Sequence, residues 1–404
     1  MQLILLTAVA LKRALVESES FNSQQMYPQN NQPLIVIKPS GHRSAFRIVL
    51  SVLAVLIALL LGLIVLALIG IEAGPVGLLI GFIVATLPVP IYIGLALWID
   101  RYESEPLWML ATAFFWGALI AVFIAFIFNT ASTVMVAVMT DSEEAGEAFG
   151  AVISAPIVEE TAKAIILFIF FFAKRDEFDG VVDGIVYAAM AGLGFAMTEN
   201  IQYYARAFMD EHQTLSSVFI LRGTLAPFSH PLFTSFTGMG LGFARQSTNT
   251  FVKLITPLLG FAMAIVLHGT WNGSIVIFGG AGFLVTYLLI MVPTFAIILV
   301  VIALALRREG QIIRQFLFND FQAGMFTQDE YNRLGSITGR MGANFNAFSR
   351  GGLGHWRASR QFHQTASELA FQRSRIARGI QMADAHEREA AFQLALRELL
   401  QKLR

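Results

Sequence analysis

The sequence predicts an all-α polytopic membrane protein of about eight transmembrane helices, followed by a helical cytoplasmic C-terminal tail. Three observations carry that reading. Hydrophobic residues make up 56% of the 404 and charged residues only 14%, well under the roughly 25% of an ordinary soluble domain, and the mean hydropathy is +0.64. The apolar residues fall into runs of about 20 or more, the length that crosses a ~30 Å hydrocarbon core. Lys and Arg gather in alternate connections between those runs.

The runs extend over Phe46 to Ile71, Gly74 to Ile99, Trp108 to Thr130, Phe149 to Ala173, Val181 to Ala205, Leu215 to Phe243, Phe251 to Phe278 and Phe283 to Leu306. The sixth is interrupted by Arg222, Pro227, Ser229, His230 and Pro231, which predicts a break or kink there. With the N-terminus inside, the inner segments hold Arg43 and Arg47, Arg101, Lys174 and Arg175, Arg245 and Lys253, and Arg307 and Arg308. The outer loops hold Arg206 and otherwise neutral or acidic residues such as Asp141, Glu143, Glu144 and Glu147. Both termini are therefore expected in the cytoplasm of a multi-pass membrane protein.

Residues 1–45 form the expected N-terminal cytoplasmic segment. Its first ten residues are apolar but too short to span, without a basic region ahead of them, and Ser18 to Ser44 reads as disordered. Residues 46–306 form the membrane domain. Residues 307–404 form the tail, with 15 Lys and Arg against 9 Asp and Glu, and with helical apolar spacing over Ser367 to Ile380 and Ala383 to Leu403. Helices that pack on one another or lie on anionic lipid headgroups suit that composition.

Four consecutive runs carry ionisable groups in their interiors, and the others carry essentially none. The fourth holds Glu159, Glu160 and Lys163, three charges that each cost about 2.5–3.5 kcal/mol near the centre of a span. Lys163 lies three and four residues beyond the two glutamates, so it can neutralise either on one helix face. The fifth run holds Glu199 and Asn200, the sixth His230, and the seventh His268 and Asn272, whose spacing of four stacks them on one face. At 1.5 Å per residue, Glu160 and His268 both lie about 15 Å in from the outer end, and Glu199 about 9 Å. The polar groups therefore converge in the outer half.

A single membrane His or Asn usually serves as an interhelical hydrogen-bonding group, but packing alone does not require six such groups on four neighbouring helices. Cysteine is absent, which excludes disulfides, thiolate nucleophiles and Cys-held metals. Glutamates and two histidines with access to water suit a metal-held or glutamate-activated water that attacks a carbonyl, with Asn272 and a His to stabilise the oxyanion. Neither the His-Glu-x-x-His motif nor the Gly-x-Ser-x-Gly elbow is present.

The set Glu159, Glu160 and Lys163, Phe195 to Asn200, His230, and His268 to Asn272 resembles the motifs of the PrsW-type intramembrane proteases, relatives of the CAAX prenyl endopeptidase and Abi families. The loop Asp100 to Pro106 is also similar, with Ser104 where the family pattern has Pro. The resemblance covers about Gly74 to Leu306. It implies a metallo- or glutamic protease in which Glu159 and Glu160 supply the base or a metal contact, Glu199, His230 and His268 complete the centre, and Asn272 orients substrate or oxyanion. A metal, zinc by this pattern, would be held by Glu160, Glu199, His230 and His268. Ala164 and Glu199 stand where the CAAX relatives have Arg and His, which favours the PrsW branch. The implied substrate is a single-pass membrane protein, such as an anti-sigma factor, cut near its extracytoplasmic side; the bilayer is a partner and nucleic acid is not.

Two other readings use the same residues. A proton-coupled transporter would relay protons through the Glu and His residues, but transporters of that kind carry internal repeats and this chain shows none. A non-catalytic scaffold signalling through its basic tail would tolerate Glu160→Gln.

Overall fold

In a computed structural model, the structure describes residues 41–210, 214–379 and 384–404. The apolar start and most of the expected disordered N-terminal segment lie outside the described residues. Every regular element that is described is helical. Gly41–Thr86 (α1) is followed by Val89–Ile99 (α2), and Leu107–Phe115 (α3) runs through the π-helical segment Trp116–Ala121 into Val122–Thr140 (α4). Glu143–Phe149 (α5) passes through a second π segment, Gly150–Ser154, into Ala155–Ala173 (α6). Val181–Met209 (α7) comes next, then Leu215–Phe219 (α8), the π segment Ile220–Leu225, and Ser229–Gln246 (α9). Thr250–Thr286 (α10) continues through Tyr287–Met291 into Val292–Gln322 (α11), and the tail adds Gln328–Leu334 (α12), Ile337–Ala377 (α13) and Ala385–Leu403 (α14).

Among the described residues, four stretches are long and apolar enough to cross a membrane: Ile48–Ile99, Leu107–Thr140, Val181–Met209 and Thr250–Gln322. The first and last contain 52 and 73 residues. As straight helices they would measure about 78 and 110 Å, far more than a bilayer core. Both double back. Gly74 (φ 70, ψ 167) and Gly279 (φ 59, ψ −145) adopt backbone conformations that side-chain-bearing residues rarely reach. Beyond the second, a Cβ on Gly282 would lie 2.0 Å from the carbonyl oxygen of Ser274, a residue that would be about 12 Å away along a continuous helix. Two expected spans are absent from the four for physical reasons. The helix α6 carries three charges, and α8 and α9 are separated at Ala226 to Phe228, beside Pro227.

The helix α7 runs through the centre, and most of its residues are buried. Its small residues let neighbouring backbones come close: a Cβ on Gly184 would lie 2.1 Å from the Gly238 carbonyl of α9, and one on Gly194 would lie 1.9 Å from the Phe114 carbonyl of α3. Such close approach is how helices associate where lipid supplies no hydrophobic drive. The tail helices bury Ile313, Leu317, Leu334, Leu369, Ala370 and Leu396 together. Arg375 binds Glu103 at 3.0 Å and the Asp176 carbonyl at 2.6 Å, and Arg378 reaches Asp179 at 2.8 Å. These contacts hold α13 against the loops that follow α2 and α6.

Candidate active site

The site is assembled by α6, α7, α9 and α10, which bring groups from four separated stretches of chain into contact. On α6, Glu159, Glu160 and Lys163 are all buried, the last two completely. Burial of these charges requires partners, because an unpaired ion in low dielectric costs several kcal/mol. Glu160 is fully engaged: Lys163 donates to it at 2.6 Å, Thr234 of α9 at 2.9 Å, and His268 of α10 lies 3.0 Å away through Nδ1. Lys163 also contacts His230 Nδ1 at 3.0 Å and sits 4.3 Å over the Phe195 ring.

The histidines are oriented in the same way. Glu160 accepts from His268 Nδ1, and Glu199 of α7 lies 2.8 Å from His230 Nε2. A carboxylate accepting one ring N–H fixes the tautomer and leaves the other nitrogen with its lone pair. Those other nitrogens face Glu159: His268 Nε2 lies 3.8 Å and His230 Nδ1 4.0 Å from its Oε2. That oxygen is buried without a hydrogen-bond partner, and its remaining neighbour is Lys163 Nζ at 3.8 Å. The second oxygen receives only a long contact, 3.4 Å, from Asn129 of α4.

Glu159, His230 and His268 together offer donor atoms that all lie within 4.8 Å of one another. Two nitrogens and one carboxylate oxygen are a donor set that suits zinc, whose ligands in a tetrahedral site stand about 3.3 Å apart. The orphaned Glu159 oxygen and the two carboxylate-held imidazoles fit such an ion. Lys163 shares the His230 lone pair in this arrangement. Three carboxylates against Lys163 and Arg222 leave the site one negative charge.

The expected metal set of Glu160, Glu199, His230 and His268 shares its two histidines with this group. The structure puts Glu159 in the third place and sets Glu160 and Glu199 behind the histidines. Asn272 is used differently from the oxyanion part expected of it. Ala155 N–H reaches back to the Gly150 carbonyl in the π segment, and residue 156 is a proline, so the Ala151 carbonyl loses both its α-type and π-type donors. Asn272 Nδ2 supplies a donor at 2.9 Å and ties α10 to the π segment that leads into α6.

Arg222 was expected only as an interruption of the sixth run. Its guanidinium hydrogen-bonds Glu199, reaches Asn200 Oδ1 at 2.6 Å and stacks 3.7 Å over Tyr203. An Arg inside an apolar run was the available signal, since such a residue needs a carboxylate partner. Thr234, four residues beyond His230, carried no signal in composition.

A family model described as "PrsW family intramembrane metalloprotease" matches residues 105–298, which include α3 to α10 and hence the whole cluster. The chain is 33% identical over 208 residues to "Protease PrsW" of Oceanobacillus iheyensis, covering 52% of this chain and 86% of that one. Over 173 residues it is 33% identical to the protein of the same name from Geobacillus kaustophilus, covering 43% and 69%. With that of Bacillus subtilis it shares 32% over 174 residues, 43% and 72% of the two chains. No solved structure matches. A buried Glu-His-His group inside the matched region, in a chain whose described residues include four stretches long and apolar enough to cross a membrane, agrees with that description, and the chain belongs to the PrsW family of intramembrane metalloproteases.

Proposed function

We propose that this protein is a zinc-dependent intramembrane endopeptidase that cuts a single-pass membrane protein, of the anti-sigma-factor kind, near its extracytoplasmic side. The single observation that carries the metallo reading is the buried, unpartnered Glu159 oxygen faced by two imidazole nitrogens, each ring held from behind by a glutamate. Glu159, His230 and His268 would hold the ion. Bound zinc supplies Lewis-acid polarisation of the scissile carbonyl and lowers the pKa of water. Glu160 and Glu199 keep both rings in the binding tautomer, Lys163 offsets the carboxylate charge, and Arg222 holds Glu199 in place. Glu160, Glu199 and Asn272 thus take orienting parts in this reading.

The proposed topology has eight crossings, with a reversal at Gly74 and another at Gly279, cytoplasmic termini, a membrane domain of residues 46–306 and a cytoplasmic tail of 307–404. Arg206, the basic exception among the outer residues, supports it, because Glu72 neutralises it at the first reversal. A groove of about 780 Å³ between the start of α6 and α10, lined by Val152, Pro156, Val266, Gly269, Gly273 and Ile277, reaches Gly269, the chain neighbour of His268, and suits lateral entry of a substrate helix. The wider kinship with the CAAX prenyl endopeptidase and Abi families rests on motif order alone.

A second reading keeps the protease and drops the metal, with Glu159 as the base that activates water. Glu160 is the weaker base in either case, since its oxygens already accept from Lys163, His268 and Thr234. The test is cleavage of a panel of single-pass membrane proteins by the purified protein in nanodiscs, before and after chelation and zinc return, with the metal content measured. Zinc-restored cleavage that Glu159→Gln and His268→Ala both abolish supports the metalloprotease. Chelator-resistant cleavage that Glu159→Gln abolishes supports the glutamic one. Unchanged fragments in both variants would overturn both.

A further inference from the structure

The tail lies outside the region that the family model matches, and one segment of it differs from the rest in composition. From Tyr331 to Ser367 the chain carries five arginines and no Asp or Glu. Arg340 is buried, donating to the Leu334 carbonyl and to Ser367 Oγ, and Arg333 faces Asp329 at 3.7 Å. The other three, Arg350, Arg357 and Arg360, are exposed and have no acidic partner among the described residues.

The same segment exposes large apolar side chains. Met341, Phe345 and Phe348, at the i, i+4, i+7 spacing of one helix face, are 49%, 70% and 48% exposed, and Leu353, after the break at Gly352, is 60% exposed. Exposure of this kind is ordinary on spans that face lipid and unusual on a helix beyond them. Its position in the molecule explains it. Arg101 contacts Met341 Sδ at 3.2 Å and also lies 4.6 Å over the ring of Trp98, which is half exposed near the end of α2. Lys174 pairs in the same way with Trp108 at 5.0 Å. Tryptophans with basic partners mark the level of the lipid headgroups, so the Met341 end of the stripe begins at that level.

We propose that residues 337–360 dock on the bilayer itself, with Met341, Phe345, Phe348 and Leu353 entering the headgroup–acyl boundary and Arg350, Arg357 and Arg360 engaging anionic headgroups. Apolar side chains beside uncompensated basic charge are the recognition chemistry of an anionic membrane surface. A second copy is the poorer occupant, since it would set two acid-free, arginine-bearing faces against each other. The docked segment continues the lipid-facing surface of α2 and fixes the height of the tail beneath the protease domain. Nothing in this depends on which group activates water at the active site.

The chain has no cysteine, so a single Cys introduces a unique label. Full-length protein with a nitroxide at Phe345→Cys, Phe348→Cys or Asn346→Cys is placed in nanodiscs of phosphatidylcholine, alone or mixed with phosphatidylglycerol. Collision with oxygen and with an aqueous nickel complex then reports depth. The expected result is oxygen-dominated collision at positions 345 and 348 and nickel-dominated collision at 346, with greater depth when phosphatidylglycerol is present. Adding Arg350→Gln, Arg357→Gln or Arg360→Gln should lower the docked-to-undocked ratio about fivefold each. Water-exposed labels at 345 and 348 in both lipids, equal depth with and without phosphatidylglycerol, or label–label broadening from a second copy would each overturn the proposal.

Discussion

Glu159 and Glu160 are adjacent in the chain, yet the hydrogen bonds around them give them different parts. Glu160 accepts from three donors on three helices, whereas one Glu159 oxygen has none. Glu160→Gln should therefore keep the three ligands and lose their orientation, with a fall of about 10–100-fold in zinc affinity or cleavage rate. Glu159→Gln removes a ligand outright, so the purified variant should retain no stoichiometric zinc by elemental analysis. The equality of effect that a simple pair of bases would produce is the outcome that sinks this division. Outside the spans, Asp100 is a second residue with a measurable signature. Burial, with help from nearby Asp183, pushes its carboxyl up from 3.8 to about 7, against the stabilising hydrogen bond from Glu105 N–H at 2.7 Å. A carboxyl that stays protonated in the folded protein destabilises it as pH rises, with the penalty starting above 3.8 and complete above about 7. Asp100→Asn keeps an oxygen for the Glu105 N–H. It should match wild type in thermal melts near pH 4 and exceed it by up to roughly 3–4 kcal/mol near pH 8. A constant difference across that range would refute the assignment.

At the scale of elements, the breaks matter more than the regular turns. The π segment before Pro156 leaves the Ala151 carbonyl to Asn272, which locks α10 against the helix that carries both glutamates. Asn272→Leu should cost about 1–3 kcal/mol of stability, the usual result of leaving a buried acceptor unpaired. Pro156→Ala returns an N–H to that turn, so in its background the same substitution should cost clearly less, and a double-mutant cycle reads the coupling. Additive losses would mean that Asn272 acts elsewhere. Several of these breaks were legible beforehand. The interruption expected around Pro227 appears between Leu225 and Ser229, and the gaps between the first two and last two apolar runs, residues 72–73 and 279–282, end just before Gly74 and begin at Gly279. The π segments were not legible, because a one-residue widening of a helix leaves apolar periodicity almost unchanged.

At the scale of the whole molecule, the tail and the membrane domain meet through charge. Arg375 joins Glu103 and Asp179 across that boundary, and within the tail Arg373 joins Asp320 of α11 to Glu389 of α14. Arg375→Ala should cost about 1.5–3 kcal/mol, as expected for hydrogen bonds to charged groups. Faster amide hydrogen exchange in α13 and in the loop around Glu103 should accompany it, with α7 unchanged; uniform exchange would place the tail contact outside the stability of either part. Composition and the length of the apolar runs determined that the chain is helical and membrane-embedded, because lipid leaves backbone polar groups no partner except their own helix. They also singled out the helices whose ionisable residues meet in the buried cluster, because such residues are costly in a span and need partners there. Only the tertiary structure decided which glutamate faces the imidazoles, that Arg222 answers Glu199 and that Asn272 answers Ala151. Those pairings join residues from 23 to 121 positions apart, and they depend on helix rotation and crossing, which no local pattern records.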